Sequence, residues 1–194
     1  MRRGFIKKII ILVKTDFELQ PVLENDLVRI VPLKEDDFEK LYEVASDPMI
    51  WEQHPNKDRY KREVFEIFFK GAIESNGAFL VFDKRTGDSI GSTRYYGYDK
   101  DGSSVSIGYT FLGRDHWGTT YNRALKTLML DHAFKFVNKV YFHIGAVNIR
   151  SQKAILKLGA EKIDEVEMEY YGEEKKLNYV YQIGDEQWSR FRKQ

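Results

Sequence analysis

Residues 104–160 constrain this chain more than any other stretch. They read as strand, glycine-containing turn, helix, strand and helix in unbroken succession: Ser104–Leu112, the turn Gly113-Arg-Asp-His-Trp-Gly-Thr-Thr-Tyr-Asn122, a long amphipathic helix, a strand over 140–145, and a second helix that closes at Leu158-Gly-Ala160. Where a strand feeds a helix through a tight turn, the first backbone N–H groups of the helix lack internal partners. The helix dipole adds about half a positive charge at the same place. The spacing therefore predicts a site for a phosphate-bearing ligand, with its anion near residues 117–123.

The flanking sequence extends the pattern. Residues 27–33 are apolar and β-branched and predict a strand. Lys34-Glu-Asp-Asp37 starts a helix with Phe38, Leu41, Tyr42 and Ala45 on one face, and Asp47-Pro48 ends it. A loop is expected over 49–56. A second helix is expected over 58–73, with Val64, Phe65, Phe68, Phe69 and Ala72 turned inward. A three-strand meander follows over 78–82, 89–96 and 104–112, then the long helix over 120–137. Gly159 caps the helix over 148–158, and 162–169 with 177–183 form a closing hairpin. The order β-α-α-β-β-β-α-β-α-β-β predicts an α/β fold, a mixed sheet with helices on both faces.

Composition narrows the function. A chain of 194 residues with four prolines is most simply one domain over 16–194 behind a short N-terminal segment. A net charge of +1 gives no long-range field for nucleic acid. With no cysteine there is no disulfide and no thiolate nucleophile, which fits a cytoplasmic setting. His54, His116, His132 and His143 show no metal-ligand spacing, so no metal is expected. The segment 1–15 pairs basic residues with an apolar run, but that run, 9–13, is shorter than the ~7–15 residues of a secretory core. An extra edge strand or a loose extension is expected there, and no membrane segment anywhere.

Ile107-Gly-Tyr109, Trp117-Gly118-Thr119, Asn122, Asn148-x-x-Ser151 and Ala154-Ile155-x-x-Leu158-Gly159-Ala160 occur in a characteristic order. In this the chain resembles the GCN5-related N-acetyltransferases (GNAT), in particular the branch that acetylates the N-termini of ribosomal proteins. The resemblance covers about residues 24–185. It implies the acyl-CoA N-acyltransferase fold, acetyl-CoA as cofactor, a pyrophosphate held by the turn and helix start, and pantetheine lying between two splayed strands. It also implies a primary amine acceptor, either a protein N-terminus or a small molecule, and the possibility of a homodimer through exposed strands.

The resemblance also assigns candidate residues. Cofactor-binding candidates are Phe111, Leu112, Gly113, Trp117, Gly118, Thr119, Thr120, Tyr121, Asn122, Arg123, Asn148 and Ser151. The family's turn has Gly where this chain has Thr120, and a β-branched residue resists left-handed backbone geometry. The hydroxyls of Thr119 and Thr120, the amide of Asn122 and the charge of Arg123, with Arg114 nearby, are expected to compensate. Many relatives carry a Tyr that protonates the departing thiolate; Ile155 stands there and cannot donate, which leaves Ser151 or a water. The Glu that often serves as base is Ser106 here. The loop Trp51-Glu52-Gln53-His54-Pro55 is therefore expected to supply the catalytic base, from His54 or Glu52. Trp51, Arg94, Tyr95, Tyr109 and His143 are expected to line the acceptor pocket. Asn148 also reads as a plain helix N-cap. Two other functions share the pattern: a catalytically silent acyl-CoA-binding sensor or assembly module, and a nucleotide-binding α/β protein.

Overall fold

The computed structural model describes residues 17–169, 171 and 173–193. The expected strand or extension at 1–15 lies outside the described residues. Eight strands form one sheet in the order β1-β2-β3-β4-β5-β6-β8-β7. They are β1 Leu23–Glu24, β2 Val28–Pro32, β3 Ala78–Asp83, β4 Ser89–Asp99, β5 Ser104–Leu112, β6 Lys139–Gly145, β7 Glu161–Met168 and β8 Lys176–Gly184. The helices are α1 Phe38–Ala45, α2 Pro48–Trp51, α3 Arg62–Glu74, α4 Tyr121–Ala133, α5 Ile149–Leu156 and α6 Asp185–Phe191.

The alternation of β3 shows why helices cover both faces. Side chains along a strand point to opposite sides in turn. Phe79 and Val81 join α4 residues Leu125, Met129 and Ala133 and α6 residue Trp188 in one core. Ala78 and Leu80 join Leu41 of α1, Trp51 of α2, and Phe65, Phe68 and Phe69 of α3 in the other. A strand buried on both sides must be apolar throughout, as Ala-Phe-Leu-Val-Phe is. Much of the aromatic content is spent on this second core, where Trp51, Phe65 and Phe68 all contact the Phe111 ring.

Four elements depart from expectation, the first being β1 at Leu23–Glu24, where no strand was expected. Residues 48–51 are helical: the Asp47 carboxylate caps the Met49 N–H at 3.0 Å, and Pro48 occupies the first turn, where a missing N–H costs nothing. Helix α6 was not anticipated, because seven residues carry too few repeats to show a period. Its acidic first turn, Asp185-Glu186, was the available signal. The long helix ends at Ala133, short of 137. Among the described residues no helix is long and apolar enough to cross a membrane.

The site depends on one pairing. β5 and β6 are parallel neighbours joined through α4, and they hydrogen-bond only over 104–106 against 139–141. Beyond Ser106 and Tyr141 they part, although β5 runs on to Leu112 and β6 to Gly145. The cause lies on the other edge of β5. Its register with β4 shifts between Ser92 and Arg94, and Tyr109 sits at φ 52°. A bulge bends its strand and increases the local twist. Here it turns β5 away from β6.

The start of α4 is anchored from below. The Tyr121 hydroxyl donates to Asp83 Oδ2 at 2.6 Å, and the Arg85 N–H donates to Asp83 Oδ1 at 2.8 Å. Burial opposes ionisation of Asp83, but these donors and the Arg85 guanidinium outweigh it and hold the carboxyl at about 2, down from 3.8. A depressed folded-state value stabilises the fold above the ordinary carboxyl range, and that contribution is lost as pH falls toward 2. Tyr121→Phe removes a donor to the carboxylate, so its acid-unfolding midpoint is expected at higher pH than the wild type's, as followed by circular dichroism. An unchanged midpoint would contradict the anchoring role.

Candidate active site

Two connected cavities occupy the gap between β5 and β6. The larger, about 790 Å³, runs from the start of α4 along α5. The smaller, about 120 Å³, is a chamber where the strands part. Trp51, His54, Thr110, Asn122, Asn148, Ser151 and Ala154 line both, so the two are one continuous cleft.

At its outer end the cleft meets the turn that leads into α4. Gly118 has φ 69°, the left-handed region, whereas Thr120 is ordinary right-handed helical backbone at φ −80°. The strain expected at Thr120 therefore does not arise, because the turn places its left-handed residue at the glycine. The Thr119 hydroxyl accepts from the Tyr121 N–H at 3.3 Å and donates to the His116 carbonyl oxygen at 2.6 Å, which fixes the turn. Across the cleft, Arg150 stacks on the Trp117 ring at 3.8 Å and donates to the Ile50 carbonyl oxygen at 3.0 Å. Trp117 in turn donates its indole N–H to the Leu112 carbonyl oxygen. Arg123, Arg150, Lys153 and Lys157 all border this end. A basic rim over free helix N–H groups suits a multiply charged phosphate ligand.

The structure gathers most of the expected cofactor residues. Phe111, Leu112, Trp117, Gly118, Thr119, Thr120, Asn122, Arg123, Asn148 and Ser151 line the cleft. Gly113 and Tyr121 do not. Gly113 donates its N–H to the Ile90 carbonyl oxygen, and Tyr121 faces Asp83 in the core. Arg114 is ion-paired with Asp47 instead of facing the cleft. Asn148 caps α5 by accepting from the Ser151 N–H at 3.1 Å and also lines the cleft.

The acceptor end needs more correction. Trp51, Tyr109 and His143 line the chamber. Tyr95 is 0% exposed, and its hydroxyl donates to the Met129 carbonyl oxygen inside the core, so it lines nothing. Along β4, Tyr95 and Tyr96 point to opposite faces, and it is Tyr96 that reaches the chamber. Arg94 lies behind the wall, 3.9 Å from the Tyr109 ring, and donates to the Gly71 carbonyl oxygen. Burial lowers its guanidinium to about 10. Glu52 points outward into solvent and lines neither cavity; the neighbouring Gln53 lines the cleft and accepts from the Arg150 N–H.

His54 reaches the chamber, but its ring is engaged. Arg59 Nη1 lies 3.2 Å from His54 Nε2, and a guanidinium only donates. Nδ1 lies 3.0 Å from the Asn56 N–H, which donates to it, and 3.1 Å from the Asn56 carbonyl oxygen, so both ring nitrogens are engaged. Burial first, then the Arg59 charge, pushes the His54 pKa well below 6.5. Arg59 is itself held by Glu173 through Nε at 2.8 Å and Nη2 at 2.5 Å. On the opposite wall, His143 Nδ1 is 2.9 Å from the Tyr96 hydroxyl, and burial lowers its pKa below 6.5.

Several lining residues escaped the sequence reading: Arg59, Tyr96, Lys126, Arg150, Lys153 and Lys157. Lys126 alone carried a usable signal. It stands four residues after Asn122, and residues so spaced on a helix share a face. Arg59 and Tyr96 are brought in by long-range packing that no local pattern encodes.

An acetyltransferase (GNAT) domain model matches residues 28–161. No curated protein matches the chain significantly. Among solved structures, a GCN5-related N-acetyltransferase from Brucella melitensis superposes with a TM-score of 0.79 at 16% identity, over 93% of this chain and 84% of that one. A spermidine N-acetyltransferase from Vibrio cholerae, in complex with CoA and spermine, gives 0.64 at 16% identity over 85% and 99%. A Vibrio cholerae chain assigned as a ribosomal-protein-serine acetyltransferase gives 0.66 at 15% identity over 84% and 97%. At these identities the structural matches speak for the fold.

Proposed function

The chain belongs to the GNAT acetyltransferase family, whose enzymes acetylate amines with acetyl-CoA, and from that premise we propose direct transfer of acetyl from the thioester to a primary amine, within one domain over 16–194. The observation that carries this reading is the parting of β5 from β6 beyond Ser106 and Tyr141, with a cleft of about 790 Å³ leading from the α4 start to the chamber. The α4 start and the basic rim would hold the phosphates. The strand gap would hold the pantetheine, and backbone N–H groups near Phe111 and Leu112 would stabilise the charge that grows on the carbonyl oxygen. Without cysteine, attack by the free amine is the simplest route.

We assign the base to His143 rather than to His54. The Tyr96–His143 pair lies on a wall of the chamber, and a ring that receives no guanidinium can take up the acceptor's proton. Tyr96 is then a positioning residue that sets which ring nitrogen carries hydrogen. Among the described residues lining the chamber are Arg59, Lys126 and two histidines but no carboxylate. Such a lining disfavours a polycationic acceptor and favours a peptide N-terminus or a small amine that also carries an anion.

Isothermal titration with acetyl-CoA, followed by thiol release over an amine panel, tests the reading. Saturable binding and turnover on at least one amine are expected. No binding at millimolar acetyl-CoA would end it, and binding without turnover would select the silent acyl-CoA module.

A further inference from the structure

The wall of the chamber contains one buried amine to which the proposed function gives no part in the proton transfers. Lys126 lies on α4 one turn beyond Asn122, and the two share the face that borders the cleft. It is only 4% exposed. Its ammonium donates to Thr110 Oγ1 at 2.5 Å, and that oxygen lies 2.8 Å from Thr93 Oγ1. The Phe142 ring is 5.9 Å away. Among the described residues no carboxylate pairs with it. The titratable groups facing it across the chamber are Tyr96 from β4, Tyr109 from β5, His143 from β6, and His54 and Arg59 from the loop after α2. None of these is negative near neutral pH. A fully buried lysine is rare unless paired, because its charge loses hydration without a return. Here burial alone lowers its pKa to about 7. The position is specific: the amine sits beside Thr110, directly after the bulged Tyr109, where β5 leaves β6.

We propose that Lys126 is the acid of the transfer, giving a proton to the coenzyme A sulfur as the bond between the acyl carbon and that sulfur breaks. The inference rests on the acetyl-CoA reading above. The bond from the acceptor nitrogen to the acyl carbon forms as the carbon–sulfur bond breaks. The electron pair of the broken bond stays on sulfur and takes the Lys126 proton, leaving a neutral amine. The proton shed by the acceptor nitrogen goes to His143, and exchange with solvent after product release restores both groups. A donor near 7 matches the task, because an ordinary thiol ionises near 8.5 and the transfer runs downhill. The hydroxyl of Ser151 is a far weaker acid, and Ile155 has no proton to give.

Lys126→Met and Lys126→Arg test the proposal. Methionine is of similar length and removes a buried unpaired charge, so this variant is expected to fold with a melting temperature at or above the wild type's. Its kcat is expected to fall about 100-fold. The wild-type pH–rate profile should decline above about pH 7, and in Lys126→Met that decline should vanish. A readout independent of turnover is the nitrogen chemical shift of the Lys126 amine, which should titrate near pH 7 in the wild type. That titration should be absent from Lys126→Met, and Lys126→Arg, whose guanidinium keeps its proton, should not restore kcat. A kcat within threefold of the wild type's in Lys126→Met, an alkaline decline that persists, or a Lys126 amine that titrates as an ordinary lysine would each overturn the proposal. A wild type that binds coenzyme A and turns over while Lys126→Met behaves identically fells this inference alone. A wild type that binds no coenzyme A fells the proposed function with it.

Discussion

Glu173→Ala is expected to lower the unfolding free energy by about 3–5 kcal/mol, the usual cost of removing one partner from a buried ion pair. The Arg59 side chain is 3% exposed and that of Glu173 is 10% exposed. Two guanidinium nitrogens reach the same carboxylate oxygen, Nε at 2.8 Å and Nη2 at 2.5 Å. The guanidinium also lies 4.5 Å from the Phe68 ring and 5.6 Å from the Trp51 ring. The aromatic rings and the neutral His54 ring carry no negative charge. The truncated variant therefore holds a buried cation beside an aromatic core. The double variant Arg59→Met with Glu173→Ala removes the charge as well and should recover most of the loss. Urea unfolding of the two variants measures this, and a loss below about 1 kcal/mol in Glu173→Ala would contradict it. The pair also closes the chamber wall and ties residues 54–59 to the turn between β7 and β8, so acceptor KM should rise in the single variant.

His143→Ala is expected to lower kcat about 100-fold or more, within the range that a positioned base contributes. Burial holds the imidazole below its usual 6.5. The neutral, proton-accepting form therefore dominates at pH 7, and the wild-type rate should fall only as pH drops through the His143 value. The variant should lose that acid limb, with its acetyl-CoA dissociation constant within about threefold of the wild type's. Tyr96→Phe removes the hydroxyl 2.9 Å from His143 Nδ1 and should lower kcat by a smaller factor with the same sign. Stopped-time thiol release from pH 5 to 9 reads both. A His143→Ala variant that keeps the wild-type acid limb would move the base elsewhere. His54 is the poorer candidate because its Nε2 lone pair receives Arg59, so its replacement should affect stability more than the pH profile.

Much of the fold was legible locally. The order of elements followed from apolar periodicity and turn residues, and the α4 start from Trp117-Gly118-Thr119. Asn148 was legible as both cap and lining residue, because its two roles use the same position. The acceptor end was not. Tyr95 and Tyr96 are adjacent and chemically alike, and only the register of β4 against β5 decides that Tyr96 reaches the chamber while Tyr95 enters the core. The resemblance put the strained position of the turn at Thr120, and the backbone places it at Gly118 instead. The loop offered His54 and Glu52 as bases, with the imidazole favoured for its ordinary titration range. The helical turn at 48–51 sends one outward, and Arg59 occupies the other.

By itself the sequence determined what depends on neighbours along the chain: which segments are strands and helices, where a helix begins with free N–H groups, and that no cysteine chemistry is available. Those properties follow from local periodicity, capping and side-chain type. Only the tertiary structure decided how β5 leaves β6, which face of β4 meets the cleft, that Arg59 is paired with Glu173 114 residues away, and that Lys126 lies buried with no carboxylate paired to it among the described residues. Each of these depends on strand register, bulge placement and burial, which arise from contacts between segments far apart in the chain, so no local pattern records them.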